Sequence, residues 1–453
     1  MTMKTVTILL AAGKGTRMRS KTLKVLHQLR GKPMLWHSLQ QVGQVSQVNP
    51  VVIIGHQSEA VREAFGDAAD YIVQEEQLGT GHAVLQAKEH LTGKADLVLV
   101  VYGDMPLLRA ETFQKLIEKQ KANDGPFSML TIIEEDPRGF GRIVRNAQGG
   151  VEAIVEEVDC TPEQRAINEL NVGVYCFQAD WLWENLPNVP LSAKGEYYLT
   201  DTVALARSQG LTVLAEVMAD PKEAMGINTR IHLSEAEAIL RQRTNELLML
   251  SGVTMIDPAS TYIDAGVTIG QDTVIYPNTT ILGETVIGED CEVGPNTILR
   301  DARIGNQCKL FASVIEQATL EDHVDIGPFG HLRKGAHLLD GVHMGNFGEV
   351  KNATLGPGVK IGHFSYIGDA TIKKNVNIGA GTITCNYDGV NKHHTTIEED
   401  VFIGSDTMLV APLHIGKGAR TGAGAVVTED VAENDTVVGV PARTLKKREQ
   451  EGE

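Results

Sequence analysis

No apolar stretch in this chain approaches the roughly 20 residues that a membrane-spanning helix needs. That excludes an integral membrane protein of the helical kind. The opening MTMKTVTILLAAG carries one lysine and a brief apolar run, but the run enters a glycine loop with no small-residue cleavage site behind it, so it reads as a buried first strand. Cysteine is also scarce. Five residues, Cys160, Cys176, Cys291, Cys308 and Cys385, stand far apart without a CxxC pair, which argues against a disulfide framework or a zinc site and for reduced thiols in the cytoplasm. Positive charge is short as well. With 41 Lys and Arg against 58 Asp and Glu, a net charge of −17 disfavours nucleic acid and anionic membranes as partners, although local basic pockets can still hold small phosphates. What remains is an ordinary soluble composition, 42% hydrophobic and 22% charged, over 453 residues, enough for two or three domains.

The pattern that is present lies between Ile263 and Val427, where an aliphatic residue returns at every sixth position. Ile263, Ile269, Ile275, Ile281, Ile287, Val293 and Leu299 keep one register; the phase slips at Ile304 and again at Leu355, and after CNYDGVNKHH it resumes at Ile397, Ile403, Leu409 and Ile415. Neither the helical period nor the strand period selects one residue in six, and a sandwich of short strands would space its turns more widely. A rung that turns a corner fits: a parallel β-helix. Glycine often follows the aliphatic residue, as at Gly270, Gly288, Gly327, Gly362, Gly368, Gly379, Gly404 and Gly416, and a tight bend with strained backbone is the expected reason. The repeat resembles the hexapeptide-repeat family, whose fold is a left-handed parallel β-helix with three rungs per coil.

Residues 1–228 alternate continuous apolar runs (Val6 to Leu10, Val51 to Gly55, Val98 to Tyr102) with amphipathic segments such as Trp36 to Val45. This predicts a doubly wound, Rossmann-like α/β domain that binds ligands at the carboxyl ends of its strands. The first strand ends in LAAGKGTR, where Gly13 and Gly15 would let backbone approach a phosphate and Lys14 and Arg17 add positive charge. Alone, such a loop is equally well a plain strand-to-helix turn, since it lacks both GxGxxG and the P-loop ending. Its companions favour phosphate: Lys24 in LKVLHQLRGKPML can reach back, and Asp104 in Tyr102-Gly103-Asp104 ends an apolar strand where it can bind Mg²⁺.

With the KVL lysine downstream, the loop resembles the sugar-nucleotide pyrophosphorylase family. Most members place a proline before that lysine; Leu23 here predicts a slightly different loop approach. QEEQLGTGHA, GFGRI, IVEE, ELNVGV and GINTR follow in the order found in uridylyltransferases that make UDP-N-acetylglucosamine. The resemblance implies that Leu10, Ala11, Ala12, Gly13, Lys24, Tyr102, Gly103 and Asp104 hold UTP, with Gln74, Gly79 and Thr80 reading uracil. It further implies that Gly141, Glu156 and Asn171 hold the N-acetylglucosamine, that Asp104 and Asn228 ligate Mg²⁺, and that Arg17 and Lys24 act on the phosphates in catalysis.

Residues 229–250 read as one helix free of Gly and Pro, with Ile231, Ala238, Ile239, Leu247 and Leu248 as its apolar members and a domain of 251–453 behind it. In that last domain the polar group Arg333, Lys351, His363, Tyr366, Asn377, Asn386 and Tyr387 exceeds what a bare prism needs, and Cys385 to His394 interrupts the rungs as a loop able to cover a groove. His363 alone would read as a solvent-facing histidine. GHFSYIGDA and NIGAGTITCNYDG, however, resemble the acetyltransferase half of bifunctional enzymes that act on glucosamine-1-phosphate. That resemblance implies His363 as general base, Arg333, Lys351, Tyr366, Asn377 and Lys392 as ligands of glucosamine-1-phosphate, and Ala380, Asn386, Tyr387, Ser405 and Ala423 as contacts of acetyl-CoA. It also implies homotrimers with the site between subunits. Two departures stand out: Val440 occupies the place of an expected coenzyme-phosphate arginine, leaving Arg443 for that role, and Gly330 and His331 replace the usual Ala and Arg.

Three functions compete at this stage. A bifunctional acetyltransferase and uridylyltransferase, with glucosamine-1-phosphate, acetyl-CoA, N-acetylglucosamine-1-phosphate and UTP as its small-molecule partners, leads. A single-activity pyrophosphorylase with a structural or allosteric β-helix comes second. A non-enzymatic complex subunit comes last, because Gly13, Arg17, Lys24 and Asp104 are all retained.

Overall fold

A computed structural model describes residues 3–55 and 58–444 and resolves two compact units, Met1–Leu240 and Arg241–Glu453. In the first unit the central sheet runs Leu214–Val217, Phe127–Ile133, Glu169–Gln178, Leu97–Tyr102, Thr5–Ala11, Val51–Ile54, Asp70–Val73 from edge to edge. Pairing is parallel except around Glu169–Gln178, which is antiparallel to both of its neighbours. The strands are apolar on both faces because both are covered: Leu9, Val52 and Leu99 point into one core, Val6, Ile8 and Val100 into the other. The parallel strands Thr5–Ala11 and Leu97–Tyr102 therefore end at one edge, and the glycine loop and Asp104 emerge there together.

The helix Arg230–Leu250 forms, and of its expected apolar members Ile239 and Leu248 pack partly buried against the cores, although its most buried residues are others. Ala236 and Leu240 pack with Leu29, Met34, Leu107 and Ile227, whereas Ile231 and Leu247 are exposed.

The second unit is the left-handed hexapeptide β-helix, its strands stacked into three sheets that form its faces. Each strand is only two or three residues long, so the inward aliphatic stack holds the coil: Ile275, Ile281, Ile287, Val293 and Leu299 are fully or almost fully buried, each contributing about 1.5–3 kcal/mol. The slips in register are rungs one residue shorter, as from Leu299 to Ile304 and from Val350 to Leu355, which also brings Leu310, Ile315, Ile372 and Ile378 into the core.

The glycine explanation needs correction. Of the eight glycines that follow an aliphatic residue, only Gly327 has a positive φ. The left-handed corners are instead held by residues such as Asp272, Asn278, Asp290 and Asn296, whose short polar side chains tolerate that backbone. Gly270, Gly379 and Gly404 are needed for space: a Cβ would lie 2.5–2.7 Å from backbone of the next coil.

Candidate active sites

In the first unit a cavity of about 370 Å³ opens at the carboxyl edge of the sheet. Leu10, Ala11, Ala12, Gly13, Arg17, Lys24, Gln74, Gly79, Thr80, Tyr102, Asp104 and Asn228 all line it. Gly13 leaves open space where a side chain would stand, whereas Gly15, at φ +61°, makes room for Lys24, whose Cβ would be 2.7 Å from any added methyl. Leu23 adopts φ −55°, the value a proline would impose, so its backbone enters the lysine turn in the same way. Lys24 Nζ donates to Asp104 Oδ2 in a very short contact and to Asn228 Oδ1 at 3.2 Å. Two neutral or anionic oxygens thus converge on one cation from residues 124 positions apart. Such a pair suits a hard divalent ion that takes its other ligands from phosphates and water, and no group of three or more His, Cys, Asp or Glu suited to a metal exists among the described residues.

An adjoining cavity of about 280 Å³ shares Thr80, Tyr102, Asp104 and Asn228 and is lined further by Gly141, Glu156 and Asn171. Glu156 accepts from Thr200 Oγ1 at 3.4 Å; burial pushes its carboxyl up, against the pull of Thr200 and with help from Asp159 and Asp201. Burial likewise pushes the Tyr102 phenol far up, aided by Glu156 and Asp104, so Tyr102 acts only as a neutral hydroxyl. Asn171 is partly committed: its Nδ2 donates to the Tyr175 hydroxyl at 2.8 Å and its Oδ1 accepts from Gly173 N at 3.0 Å. Gly103 lines neither cavity; its N–H donates to Leu10 O at 2.9 Å and splices the two strand ends together.

Sequence reasoning missed the wall opposite the glycine loop. Glu196 lines the first cavity, Tyr198 and Thr200 the second. Gly81 N donates to Tyr197 O, Tyr197 N to Leu78 O, and Leu199 N to Thr80 Oγ1. Gln77 was missed too, although its amide donates to Ala12 O at 2.8 Å and ties the glutamine segment to the glycine loop. The GEYYLTD run around these tyrosines was the available signal.

On the prism, register gathers the predicted residues. Asn346, His363, Ala380, Ser405 and Ala423 occupy one corner of successive coils, linked by Phe364 N to Asn346 O, Gly381 N to His363 O, Asp406 N to Ala380 O and Gly424 N to Ser405 O. Asn346, missed in the sequence, lies with Oδ1 against His363 Nδ1 in a very short contact. An amide oxygen only accepts, so Nδ1 carries the proton and Nε2 is left as the basic nitrogen.

The adjacent face carries a cationic cluster. Lys351 is held below the usual lysine range, first by Lys392 and then by Arg333, three like charges drawn together. Arg333 donates to Glu349 Oε1 at 2.8 Å. Asp369 sits beneath: burial would raise its carboxyl, but the amides of Asn352 and Asn386 and the charges of Lys392 and Lys351 outweigh that and lower it. Tyr366 folds over Gly368, where a Cβ would fall 2.4 Å from its hydroxyl and 2.9 Å from Asn386 Nδ2. In the interrupting loop Tyr387 pairs with Lys392, and its hydroxyl donates to Gly389 O at 2.6 Å.

Not every predicted residue joins. Asn377 projects from a different face, in the sheet of Lys360 and Phe402. Arg443 is exposed, 4.0 Å from Glu429, on a closing strand antiparallel to Thr436–Val438. Gly330 lies against Ile326, where a Cβ would come within 2.7 Å, and His331 stands 3.5 Å from Glu316 and beside Glu349.

Comparison with known proteins agrees with both halves. Residues 7–159 match the MobA-like NTP transferase domain, and residues 266–301 and 394–429 match the bacterial transferase hexapeptide (six repeats). "Bifunctional protein GlmU" of Geobacillus sp. strain WCH70 is 48% identical over 94% of this chain and 93% of its own. The protein of the same name from Enterococcus faecalis is 48% identical over 97% and 96%, and that from Exiguobacterium sp. 46% identical over 97% and 98%. With two matched domains and near-complete coverage on both sides, the chain belongs to the bifunctional GlmU family, a nucleotidyltransferase joined to a hexapeptide acetyltransferase.

Proposed function

We propose that the prism transfers acetyl from acetyl-CoA to the amine of glucosamine-1-phosphate, and that the first unit then transfers UMP from UTP to the N-acetylglucosamine-1-phosphate so formed. The chain is a bifunctional enzyme, and the observation that carries this division is the cluster of Arg333, Lys351 and Lys392 beside the His363 corner. A purely structural prism gains nothing from three crowded cations. A sugar phosphate offsets their repulsion, with Arg333 as a fork and the lysines as point charges.

For acetyl transfer, His363 Nε2 removes a proton from the sugar amine, whose lone pair attacks the thioester carbonyl; the carbonyl re-forms as the CoA thiolate leaves. Asn346 keeps the imidazole in the required tautomer. Tyr366 and Asn377 orient the sugar, while Ala380, Ser405 and Ala423 give the coenzyme a smooth corner, with Asn386, Tyr387 and Arg443 as further contacts. For uridylyl transfer, a phosphate oxygen of the sugar attacks the α-phosphorus in line and pyrophosphate leaves. Arg17, Lys24 and the loop N–H groups stabilise the charge that grows on the phosphate oxygens. Asp104 and Asn228 would hold Mg²⁺, which supplies further charge neutralisation when bound. Gly141, Glu156 and Asn171 take the N-acetylglucosamine, and Gln74, Gly79 and Thr80 the uracil.

The same reading extends to a homotrimer working in the cytoplasm. Two observations support the assembly. Asn377 stands on a different face from the cationic cluster. Beside His363, Phe329, Phe347 and Phe364 stack at 5.0 and 5.1 Å between centroids yet stay about half exposed, an apolar ladder that a second copy would cover. Residues 1–228, 229–250 and 251–453 serve as uridylyltransferase, helical linker and acetyltransferase.

Two assays on one purified preparation test the reading. CoA thiol release should depend on glucosamine-1-phosphate, and pyrophosphate release from UTP should depend on N-acetylglucosamine-1-phosphate. Absence of the first with the second intact would favour the single-activity alternative. Sedimentation equilibrium should give the trimer mass, and mixing Arg333→Ala with Asn377→Ala subunits should restore part of the acetyl transfer lost in each.

A further inference from the structure

The interrupting loop of the prism is fastened at both ends by one corner residue, Asp369, which is buried and has a φ of +47°. Its backbone ties the far end of the loop to the coil beneath: Asp369 N donates to Lys351 O and Asp369 O accepts from Thr395 N, each at 3.1 Å. Its side chain holds the near end. Asn352 Nδ2 donates to Asp369 Oδ1 and Asn386 Nδ2 to Asp369 Oδ2, both at 2.5 Å. Burial opposes ionisation, but these two amides and the charges of Lys392 and Lys351 hold the carboxyl below its usual range. A carboxylate only accepts, so the atom of Asn386 that faces Asp369 is the amide nitrogen, and Oδ1 is turned the other way. That oxygen has no protein partner among the described residues, yet it is not sealed from solvent. The backbone of Asn386 is fixed as well, its N donating to Thr384 O at 2.9 Å and its O accepting from His393 N at 2.8 Å.

We propose that Asp369 is a positioning residue for acetyl transfer: by gripping the nitrogen of Asn386 it holds that side chain's oxygen outward as the acceptor for an amide N–H of the acetyl-CoA arm. The proposal rests on the acetyl-transfer reading above, which gives Asn386 to the coenzyme, and adds to it a residue that itself touches no substrate. Without the carboxylate, Asn386 is free to turn over and present hydrogens, which an incoming N–H opposes.

The test measures kcat and the KM for acetyl-CoA and for glucosamine-1-phosphate in the full-length chain, with urea unfolding of the same samples as a check that the prism is folded. Asp369→Gly keeps the left-handed backbone and removes the carboxylate. The KM for acetyl-CoA should rise about tenfold, the value of roughly one well-made hydrogen bond, with a smaller change in kcat. The KM for glucosamine-1-phosphate should not rise, because Lys351 and Lys392 lose a competing carboxylate. Asp369→Asn combined with Asn386→Asp reverses donor and acceptor while leaving a carboxylate oxygen turned outward, and should recover most of the affinity for acetyl-CoA. If Asn386→Ala raises the KM for acetyl-CoA and Asp369→Gly does not, the positioning role is wrong and the assignment of Asn386 stands. If neither variant changes it, the assignment of Asn386 to the coenzyme fails and the proposal with it. Equal rises for both substrates, or no recovery in the exchanged pair, would reduce Asp369 to a fastening of the loop and overturn the proposal.

Discussion

The two candidate sites of this chain are assembled by opposite means. In the α/β unit, segments scattered from Leu10 to Asn228 are brought to one sheet edge by strand order, and each contributes different chemistry. On the prism, the His363 corner is built by stacking the same position of successive coils, so a residue's place in the repeat is its place in the site. A scattered site therefore fails when one distant partner is lost, whereas a stacked one also depends on the spacing of the coils beneath it.

Asp104→Ala offers the largest expected contrast. It removes the carboxylate that meets Lys24 and should lower uridylyl transfer about a thousandfold, as loss of a preorganised charge partner does, while acetyl transfer is unchanged. Loss of both rates together would break the comparison. Lys351→Met comes next: the KM for glucosamine-1-phosphate should rise roughly tenfold, the effect of one charge-assisted contact, with the KM for UTP unmoved.

Glycine substitutions sharpen the contrast at the level of stability. Gly379→Ala would set a Cβ 2.5 Å from Ser405 N and should cost about 1–3 kcal/mol in denaturant unfolding of the prism. Gly13→Ala meets open space, so it should leave stability within about 0.5 kcal/mol and act instead on the KM for UTP. The smallest effect concerns pH. Burial raises folded Glu156 above its unfolded value, so the folded state holds more protons from the ordinary glutamate range up to that raised value, and stability present at lower pH is lost as pH rises through it. Urea titrations of Glu156→Gln between pH 4 and 7 should show a flatter pH dependence than the parent; an unchanged slope would remove Glu156 as its source.

The fold was largely legible because each unit carries a plain signature: continuous apolar runs on strands covered on two faces, and one aliphatic in six on the prism. The glycines were legible as special but not why, since crowding between coils exists only once coils are stacked. At the sites, the glycine loop, Lys24, Asp104 and the His363 group could be read from motif order. Asn346 could not, because its relation to His363 is one coil of register, and Gln77 and Tyr198 could not, because their roles depend on loops meeting across the cavity. Asn171 shows the converse: a residue marked for the substrate also spends its amide on Tyr175.

The most direct test of two separate sites on one chain is His363→Ala assayed for both transfers on a single preparation. Acetyl transfer should fall about 10²–10⁴-fold, the range for loss of a general base, with pyrophosphate release from UTP at the parental rate. Acetyl transfer that persists at the parental rate would contradict the account.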